Sequence, residues 1–474
     1  MRRPPPDESR NARRPVPTLR IFSRNRIARL TGADHFVLAL DHMMSRHGQH
    51  GLIGQTHVRL ESVPDIARLG EAARRLAEAY PLLDAEVRRN PFTLRVAWHR
   101  GRGADRSLPV NLWFENGARV PGGRRATEIP SESDWVDHVL NEPSGFRDGL
   151  RNLRLDLLLL GGGGSLLALT WKHLLFDGKG AELLLDALVN PAPPSSPPAA
   201  PARRSEGLRE LIRLATPIVK RFFELAANRY SSLAGPRPLP GRLRFRMLTF
   251  DTEATARIQA RSDAAAGPLF RFGFYLACAL RAHRQAFLAR GSDPAHFLVS
   301  LPVQVRKKGL GNTPFQNCVT ILFFSLDRES LASLESAARA VQAQFEEMTR
   351  AGLDRSFTAV LELMSFLPSP VYLRFLRWQF RSEITSFFHS FTGEFSAKLA
   401  DVFGARVTNA FHIPSVSAPP GSGLFFGLFN GRLNATFSWR EGSVGDDEAG
   451  LVLARLQADL LGEEVLPPRE CVPT

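Results

Sequence analysis

A pair of apolar runs that leads into a histidine most limits how this chain can fold. Leu153 to Leu160 and Ser165 to Trp171 are largely apolar, and four consecutive glycines separate them. Two such runs around a glycine turn predict two consecutive strands. Asp177-Gly178 stands four residues after His173, and a helical apolar pattern starts at Gly180. We therefore expect a strand that turns sharply into a helix, with an imidazole at the mouth of the strand.

The segment from His173 to Gly178 has the pattern His-x-x-x-Asp-Gly. An imidazole in this position is a natural general base, because its ordinary pKa lies near neutrality. Gly178 permits a tight turn after the aspartate. Asp177 has two alternative roles. It either orients the imidazole directly, as in a hydrolase triad, or pairs with an arginine elsewhere and shapes the loop. Its spacing across a tight turn favours the ion pair.

Three later segments accompany this motif. Residues 297–306 form a predicted strand that ends in Pro-Val-x-x-Arg, Val-Thr-Asn stands at 407–409, and 423–439 has the pattern of a hairpin. In this order and at these separations, the motifs resemble the chloramphenicol-acetyltransferase-like superfamily. Within it, the chain is most similar to bacterial wax ester synthase/diacylglycerol acyltransferases and to free-standing condensation-type acyltransferases. The resemblance extends from Leu30 to Leu461.

The resemblance implies an α/β fold of two chloramphenicol-acetyltransferase-like subdomains, with mixed sheets flanked by helices and an active-site channel between them. It also implies transfer of an acyl group from a CoA or carrier-protein phosphopantetheine thioester to an alcohol acceptor. The sequence contains no Gly-x-Ser-x-Gly segment, which would suggest a covalent intermediate. We therefore expect direct attack of the acceptor on the thioester, with no tightly bound cofactor.

The resemblance assigns roles to the charged residues of the motif. His173 occupies the position of the histidine that does the chemistry in such enzymes, as general base. Arg306, at the end of the Pro-Val-x-x-Arg strand, is the implied ion-pair partner of Asp177, and Gly178 then serves the turn. If that pair is buried, removing one member would leave an unpaired charge, at a cost of ~3–5 kcal/mol.

Polar residues of the second half supply the remaining site candidates. Thr408 and Asn409 match a Ser/Thr-Asn stretch that lies near the channel in the resembled family, and either is a candidate to stabilise the oxyanion. The alternative is a strand end with ordinary turn chemistry. Asn312 and Asn317 are expected to cap turns around the channel. His412 could approach the channel, although the proline two residues later suggests a loop position.

One residue departs from the resembled pattern. Many of the relatives carry two adjacent histidines, and Lys172 takes the place of the first one here. Neighbouring strand residues point to opposite faces, so Lys172 need not enter the site and His173 stays the expected base. Lys172 and Lys179 flank the motif, either as contacts for a phosphate-bearing donor or as ordinary solvated lysines.

Two alternative functions stay open. The first is condensation-type amide formation on carrier-bound substrates, with an amine as acceptor and an acyl carrier protein as a separate partner chain. The second is a non-catalytic scaffold of the same fold that binds acyl ligands, and the lysine at position 172 is compatible with it.

Half of the net charge of +14 lies in the first 30 residues. Residues 1–30 hold nine arginines against Asp7 and Glu8, in a Pro- and Arg-rich tail that cannot bury enough apolar surface to fold alone. Nucleic acid is the generic partner of such a tail. The rest of the sequence shows no aromatic-basic RNA motif and no DNA-binding helix, so nucleic-acid binding is not favoured. An anionic membrane surface or a phosphate-bearing carrier fits better, and a solubilising tail is the plain alternative.

Composition divides the chain into four parts. Residues 1–20 form the disordered tail, and 21–190 form an N-terminal acyltransferase subdomain that contains the motif. Residues 191–206 are rich in proline and form an extended linker. Residues 207–474 form the C-terminal acyltransferase subdomain. A chain of 474 residues is long enough for two such units.

The sequence shows neither a membrane-spanning apolar run nor a secretory signal, and its three cysteines are too few for a disulfide framework. We therefore expect a cytoplasmic protein. The basic amphipathic pattern over 208–223 is a candidate for peripheral membrane contact or for packing on its own domain. His42, His47 and His50 lack the spacing of a metal site, so no bound metal is expected.

Overall fold

The chain is described here from a computed structural model. The described residues are 26–90, 96–101, 107–118, 125–142, 150–190, 207–236, 238–306, 313–379, 383, 385–396 and 398–463. The predicted tail at 1–20, the linker at 191–206 and the site candidate Asn312 lie outside these ranges.

Strands and helices alternate along the described ranges. The strands are β1 (Arg26–Arg29), β2 (Ile53–Leu60), β3 (Glu86–Arg89), β4 (Val96–His99), β5 (Val110–Glu115), β6 (Thr127–Ile129), β7 (Leu153–Leu159), β8 (Ser165–Lys172), β9 (Leu243–Phe250), β10 (His296–Gln304), β11 (Val319–Asp327), β12 (Phe387–Glu394), β13 (Asp401–Val402), β14 (Ala405–Pro414), β15 (Ser422–Phe429) and β16 (Arg432–Arg440). The helices are α1 (Gly32–Arg46), α2 (Ile66–Ala79), α3 (Glu132–Asn141), α4 (Gly178–Val189), α5 (Leu208–Ala226), α6 (Thr252–Ala266), α7 (Arg271–Ala289), α8 (Leu334–Arg350), α9 (Leu353–Met364), α10 (Ser369–Gln379) and α11 (Asp446–Leu461).

The first large sheet has the strand order β13-β14-β2-β8-β7-β5-β6. β7 and β8 pair antiparallel, while β5 pairs parallel with β7 and β6. Leu157 packs in the core on one face of β7, and Leu158 packs with Trp135 of α3 on the other face. Burial of both faces explains why this part of the sequence is continuously apolar and does not alternate.

The second large sheet has the strand order β11-β10-β12-β15-β16-β9. β12 pairs parallel with β10 and β15, and the other neighbours pair antiparallel. β9 lies at the edge, where exposed Arg244 and Arg246 alternate with residues that face the protein. Both large sheets are mixed and carry helices, so the predicted α/β class is confirmed. A third sheet joins β1, β4 and β3.

Strand β14 belongs to the second half of the sequence but pairs antiparallel with β2 in the first sheet. His412 lies opposite Thr56 within this ladder. The loop position predicted for His412 is therefore wrong. Pro414 ends the strand, where its missing N–H is tolerated, and does not exclude the preceding residues from it. The halves share one sheet, while the boundaries drawn from composition stay a prediction.

Local capping accounts for where several helices begin. Thr31 accepts a hydrogen bond from the amide of Asp34, whose carboxylate accepts one from the amide of Thr31, so α1 starts with a capping box.

Pro217 lies inside α5, and the amide of Ile218 donates to the hydroxyl of Ser356 at 2.9 Å. Within the described ranges, no helix is long and apolar enough to cross a bilayer.

Candidate active site

Residues of both large sheets and of α1 line a partly open cavity of about 250 Å³. His173, Asp177 and Gly178 line it, on the loop that joins β8 to α4. We call residues 173–178 the motif loop. The cavity thus contains the three residues of the His-x-x-x-Asp-Gly pattern that the sequence singles out.

The backbone of His173 is held from two sides. Its amide donates to the carbonyl of Leu52 at 2.9 Å, which extends the β2–β8 pairing by one residue. Its carbonyl accepts a hydrogen bond from the side-chain amide of Asn317 at 3.0 Å. The backbone of His173 is therefore positioned by the first sheet and by Asn317, which stands two residues before β11.

Asp177 caps the N-terminus of α4. One carboxylate oxygen accepts from the amide of Gly180 at 2.8 Å and from Arg306 at 3.1 Å, and the other accepts from the amide of Cys318 at 2.9 Å. In the described part of the chain, no hydrogen bond joins Asp177 to His173. The geometry therefore matches the ion-pair role of Asp177 and not the triad role.

Arg306 follows the end of β10 and reaches across to the first half. Its guanidinium donates to Asp177 and, at 2.7 Å, to the carbonyl of Thr313. The paired side chains are only 15% and 6% exposed. A charge this well shielded from water depends on its partner, so Arg306 and Asp177 hold the motif loop together as a unit.

Asp34 takes part in the same network. Its carboxylate accepts from both the backbone amide and the side-chain amide of Asn317, at 3.1 and 2.9 Å. Burial raises the pKa of Asp34, and its hydrogen bonds to Thr31 and Asn317 oppose this rise. Sequence analysis did not identify Asp34 as a site residue. Its only local signal is the capping pattern at the start of α1, which indicates a helix and not a site.

Burial lowers the pKa of His173 below its ordinary value, and the hydrogen-bonded surroundings and the charge of Asp177 partly oppose this shift. A lowered pKa keeps the imidazole neutral at neutral pH, and a neutral imidazole can accept a proton. Nδ1 of His173 is buried and has no hydrogen-bond partner among the described residues. No carboxylate in this part of the chain therefore holds the ring in one tautomer.

The structure does not bring Thr408 and Asn409 to the cavity wall. The hydroxyl of Thr408 donates to the carbonyl of Arg59 at 3.2 Å. Asn409 and Asn434 exchange side-chain hydrogen bonds at 3.1 and 3.0 Å, and the Asn409 oxygen also accepts from the amide of Ala410. Their role in stabilising an oxyanion therefore stays a prediction, without support from this arrangement.

His412 lines the cavity next to the motif loop. A Cβ placed on Gly178 would lie 3.7 Å from its Nε2. Its Nδ1 is 2.9 Å from the hydroxyl of Thr56, and its Nε2 is 3.5 Å from the buried carboxylate of Glu182. Among the described residues, His412 of β14 and His389 of β12 thus line the cavity together with His173.

The two lysines that flank the motif differ in their surroundings. Lys172 is not among the residues that line the cavity. Burial lowers its pKa, and the nearby charge of Asp41 opposes that shift. Lys179 forms an ion pair with Glu182. Each lysine thus interacts with a carboxylate of the chain, and contact with a phosphate-bearing donor stays a prediction.

The described residues contain no group of three or more His, Cys, Asp and Glu side chains that could hold a metal ion.

No family model matches this chain, and no curated protein matches it by sequence. Solved structures do match. They include the first condensation domain of the calcium-dependent antibiotic synthetase, at 16% identity and a TM-score of 0.62, with 92% of this chain and 96% of that chain covered. A trichothecene 15-O-acetyltransferase from Fusarium sporotrichioides has 13% identity, a TM-score of 0.63 and coverages of 91% and 94%.

A wax ester synthase/diacylglycerol acyltransferase from Marinobacter aquaeolei VT8 also matches, at 13% identity, a TM-score of 0.57 and coverages of 91% and 98%. At such low identities these likenesses concern the fold. All three span nearly the whole chain, as the resemblance of the motifs predicts. The chain therefore has the same α/β fold as these condensation-domain and acyltransferase structures.

Proposed function

We propose that this protein is an acyltransferase that moves an acyl group from a CoA or carrier-protein thioester to an alcohol. The observation that carries the proposal is the placement of His173. Its imidazole lies on the wall of a cavity that both sheets line, on a loop held by Arg306 and Asn317 from the second half. A buried base with its pKa lowered suits the activation of a hydroxyl.

The chemistry needs one base and no covalent intermediate. His173 takes the proton of the acceptor hydroxyl as its oxygen attacks the thioester carbonyl. The tetrahedral intermediate then collapses: the carbon–oxygen bond of the ester remains, the carbon–sulfur bond breaks, and the imidazolium returns its proton to the leaving thiolate. Asp177 and Arg306 position the loop and do not exchange protons in this scheme. No cofactor other than the thioester co-substrate is involved.

The test is release of free thiol by the purified protein. Acyl-CoA donors of short, medium and long chain are combined with fatty alcohols, diacylglycerol or small amines. His173→Ala is compared with His138→Ala, a matched change at a partly exposed histidine of α3 that does not line the cavity. Acceptor-dependent release that is lost only in His173→Ala supports the proposal. Equal release from both variants would exclude His173 as the base.

Amide formation is the second candidate function, because the likeness to a condensation domain covers 92% of this chain. The same assay separates the two reactions by the acceptor that it requires. An amine requirement, together with a stable complex with an acyl carrier protein, would favour condensation. Binding of acyl ligands that is unaffected by His173→Ala, without any transfer, would favour a non-catalytic scaffold.

Helix α5 supports the proposal that the protein also contacts an anionic membrane surface. Leu208, Ile212, Val219 and Phe223 are 42–69% exposed and recur at helical spacing, while Arg209 and Lys220 are exposed on the same helix. An apolar stripe with flanking cations is typical of helices that lie in a bilayer interface. The test is co-sedimentation with phosphatidylserine vesicles, with Phe223→Ser as the variant. Binding that this change leaves intact would contradict the assignment.

A further inference from the structure

Arg440, the last residue of β16, is a buried cation whose hydrogen-bond acceptors are all neutral. The residue is 1% exposed. Its Nε donates to the carbonyl of Val416 at 2.8 Å, and its Nη1 donates to the carbonyl of Gly241 at 3.3 Å. Its Nη2 donates to the hydroxyl of Ser415 at 3.2 Å. A charged side chain is rarely buried this fully without a partner of opposite charge.

Other arginines that are shielded from water differ from Arg440 in this respect. Their side chains are 11–15% exposed, and each forms an ion pair with an aspartate. The pairs are Arg154–Asp156, Arg281–Asp459 and Arg306–Asp177. Arg440 is more deeply buried and has no such partner among the described residues. An anion from outside the chain would therefore complete its surroundings.

The charge of Arg440 acts beyond its own hydrogen bonds. Burial lowers the pKa of His50, and the charges of Arg440 and Arg242 lower it further. Burial also lowers the pKa of Arg440 to about 10, which still leaves the guanidinium charged at neutral pH. No carboxylate of the described residues opposes either shift. The protein therefore leaves this positive charge without a counter-charge.

Ser415 connects Arg440 to the cavity. It lines the cavity and is 8% exposed. Because its oxygen accepts from Arg440, its hydroxyl hydrogen takes no part in that bond, and the described residues supply no acceptor for it. Hydrogen bonds in a chain polarise one another, so a hydroxyl that accepts from a cation becomes a stronger donor. The cavity wall thus presents one polarised donor with a buried positive charge behind it.

Ser415 and His173 lie on opposite sides of strand β2. The amide of Ser415 donates to the carbonyl of Ile53 at 3.3 Å, and the amide of His173 donates to the carbonyl of Leu52 at 2.9 Å. Neighbouring strands lie about 4.8 Å apart, so the two backbones are about 10 Å apart across β2. Both residues line the cavity. A molecule whose hydroxyl reaches His173 can therefore present a second group, a few bonds away, to Ser415.

The geometry points to an anionic acyl acceptor: a carboxylate or phosphate of this alcohol accepts a hydrogen bond from Ser415, and the charge of Arg440 stabilises it. This assignment rests on the proposed acyl transfer and names the class of its acceptor. The phosphates of a CoA or carrier thioester lie at the far end of the pantetheine chain, too far from the reacting carbonyl to reach Ser415. A neutral alcohol leaves the charge of Arg440 without a counter-charge and therefore binds more weakly.

The experiment compares acceptors that differ in charge. ω-Hydroxyhexanoate, hexanediol monophosphate and the neutral ω-hydroxyhexanamide are each combined with the same acyl-CoA, and thiol release gives kcat and KM. The unmodified protein should prefer the anionic acceptors to the amide by about 10–100-fold in kcat/KM, the value of a hydrogen bond to a charged group. The preference should appear in KM and not in kcat. The larger of the two anionic values distinguishes a carboxylate site from a phosphate site.

Ser415→Ala should remove this preference and leave kcat/KM for the amide nearly unchanged. Ser415→Thr keeps a hydroxyl and should retain the preference. Ser390→Ala removes another hydroxyl from the wall of the same cavity and is the matched control, in which the preference should persist. Arg440 itself is left unchanged, because loss of its bonds to two backbone carbonyls would destabilise the fold.

Calorimetry separates this inference from the proposed function, because it measures binding of ω-hydroxyhexanoate and ω-hydroxyhexanamide without any donor. The acid could bind more tightly than the amide, with the difference lost in Ser415→Ala, while no donor releases thiol. The anion site would then hold and the proposed transfer would fail. Transfer to the acid and to the amide with equal kcat/KM would support acyl transfer and overturn the anion site.

Two other outcomes also overturn the inference. An equal fall in kcat for acid and amide in Ser415→Ala would make the hydroxyl a donor to the reacting oxyanion. The last comparison replaces acyl-CoA by acyl-pantetheine, which lacks the phosphates. An effect of Ser415→Ala that appears only with acyl-CoA would assign the contact to the donor and not to the acceptor.

Discussion

The motif loop and strand β14 both join the halves of the chain, but different interactions hold them. The loop depends on the ion pair of Asp177 and Arg306, whose side chains are nearly inaccessible to water. β14 depends on its backbone ladder with β2 and on the reciprocal amide pair of Asn409 and Asn434. Loss of one partner leaves a shielded charge in the first case and a neutral amide in the second.

This difference shows where the protein is sensitive to substitution. The neutral strand that forms one wall of the cavity tolerates single changes better than the charged loop that carries the candidate base. The stability of the site should therefore depend most on residues that lie outside the reaction itself. Four substitutions and a pH profile test this contrast, from the largest expected effect to the smallest.

Replacement of His173 by Ala should lower the turnover of acyl transfer by about 10²–10⁴-fold, because the acceptor loses its base. The midpoint of urea unfolding should stay close to that of the unmodified protein, since Nδ1 of the imidazole has no hydrogen-bond partner among the described residues. Steady-state thiol release and unfolding curves measure the two effects. A large loss of stability in this variant would show that the imidazole is part of the structural clamp.

Replacement of Arg306 by Met should destabilise the fold by ~3–5 kcal/mol, because Asp177 is left as a shielded, unpaired charge. Arg406→Met is the matched control, since Arg406 pairs with Glu61 on the surface and screening by water makes that pair weak. Urea unfolding of both variants gives the comparison. Equal effects would show that the ion pair on the motif loop is no stronger than a surface pair. The double variant Asp177→Asn/Arg306→Met should recover part of the lost stability.

Replacement of Asn317 by Ala should cost about 1.5–3 kcal/mol, because the buried carboxylate of Asp34 loses a charge-assisted partner. The carbonyl of His173 loses its donor at the same time, so turnover should fall as well. Unfolding curves and steady-state rates together measure this. Thr358→Ala, which also removes a partly buried side-chain donor in the second half, controls for general loosening. Normal turnover in Asn317→Ala would contradict a positioning role.

Replacement of Asn409 by Ala should cost about 0.5–1.5 kcal/mol for each neutral hydrogen bond lost to Asn434. Turnover should change little, because the Asn409 side chain does not line the cavity. This variant also tests the oxyanion role that the sequence suggested. A fall in turnover by about 10²-fold or more, with unchanged stability, would establish that role and would show that the amide pair opens during the reaction.

The smallest effect concerns pH. His173 acts as a base only when deprotonated, so activity should fall as the pH drops through its pKa. Burial places that pKa below the ordinary histidine value, so the acidic limb of kcat/KM should lie below a pH of about 6.5. Rates measured from acidic to mildly alkaline pH locate this limb. A limb above the ordinary histidine pKa would mean that a different group titrates or that the imidazole is stabilised in its charged form.

Patterns within short stretches of sequence predicted much of the first half. The strand pair before His173 and the helix that follows the motif both occur close to their expected positions. Local rules suffice there, because apolar periodicity and glycine turns act over a few residues. The Asp177–Arg306 contact was inferred from a resemblance, and the structure places these two side chains 3.1 Å apart.

Other features of the site have no local signal. His412 was expected in a loop but lies in β14, because pairing with β2 in the distant first half determines its conformation. The Asn317–Asp34 hydrogen bonds join residues that are 283 positions apart. Asn409 follows a shift in the β14–β2 register and bonds to Asn434 of β16. None of these contacts can be deduced from the residues that flank them.

The sequence alone determined the class of fold, the strand–histidine–turn–helix unit and the candidate base, because these depend on nearest neighbours along the chain. Only the tertiary structure decided which polar groups reach the cavity and how Asp177 is used. Side chains from strands far apart in sequence become neighbours only when the sheets form. The chemistry of a cavity is therefore a property of packing and not of any single motif.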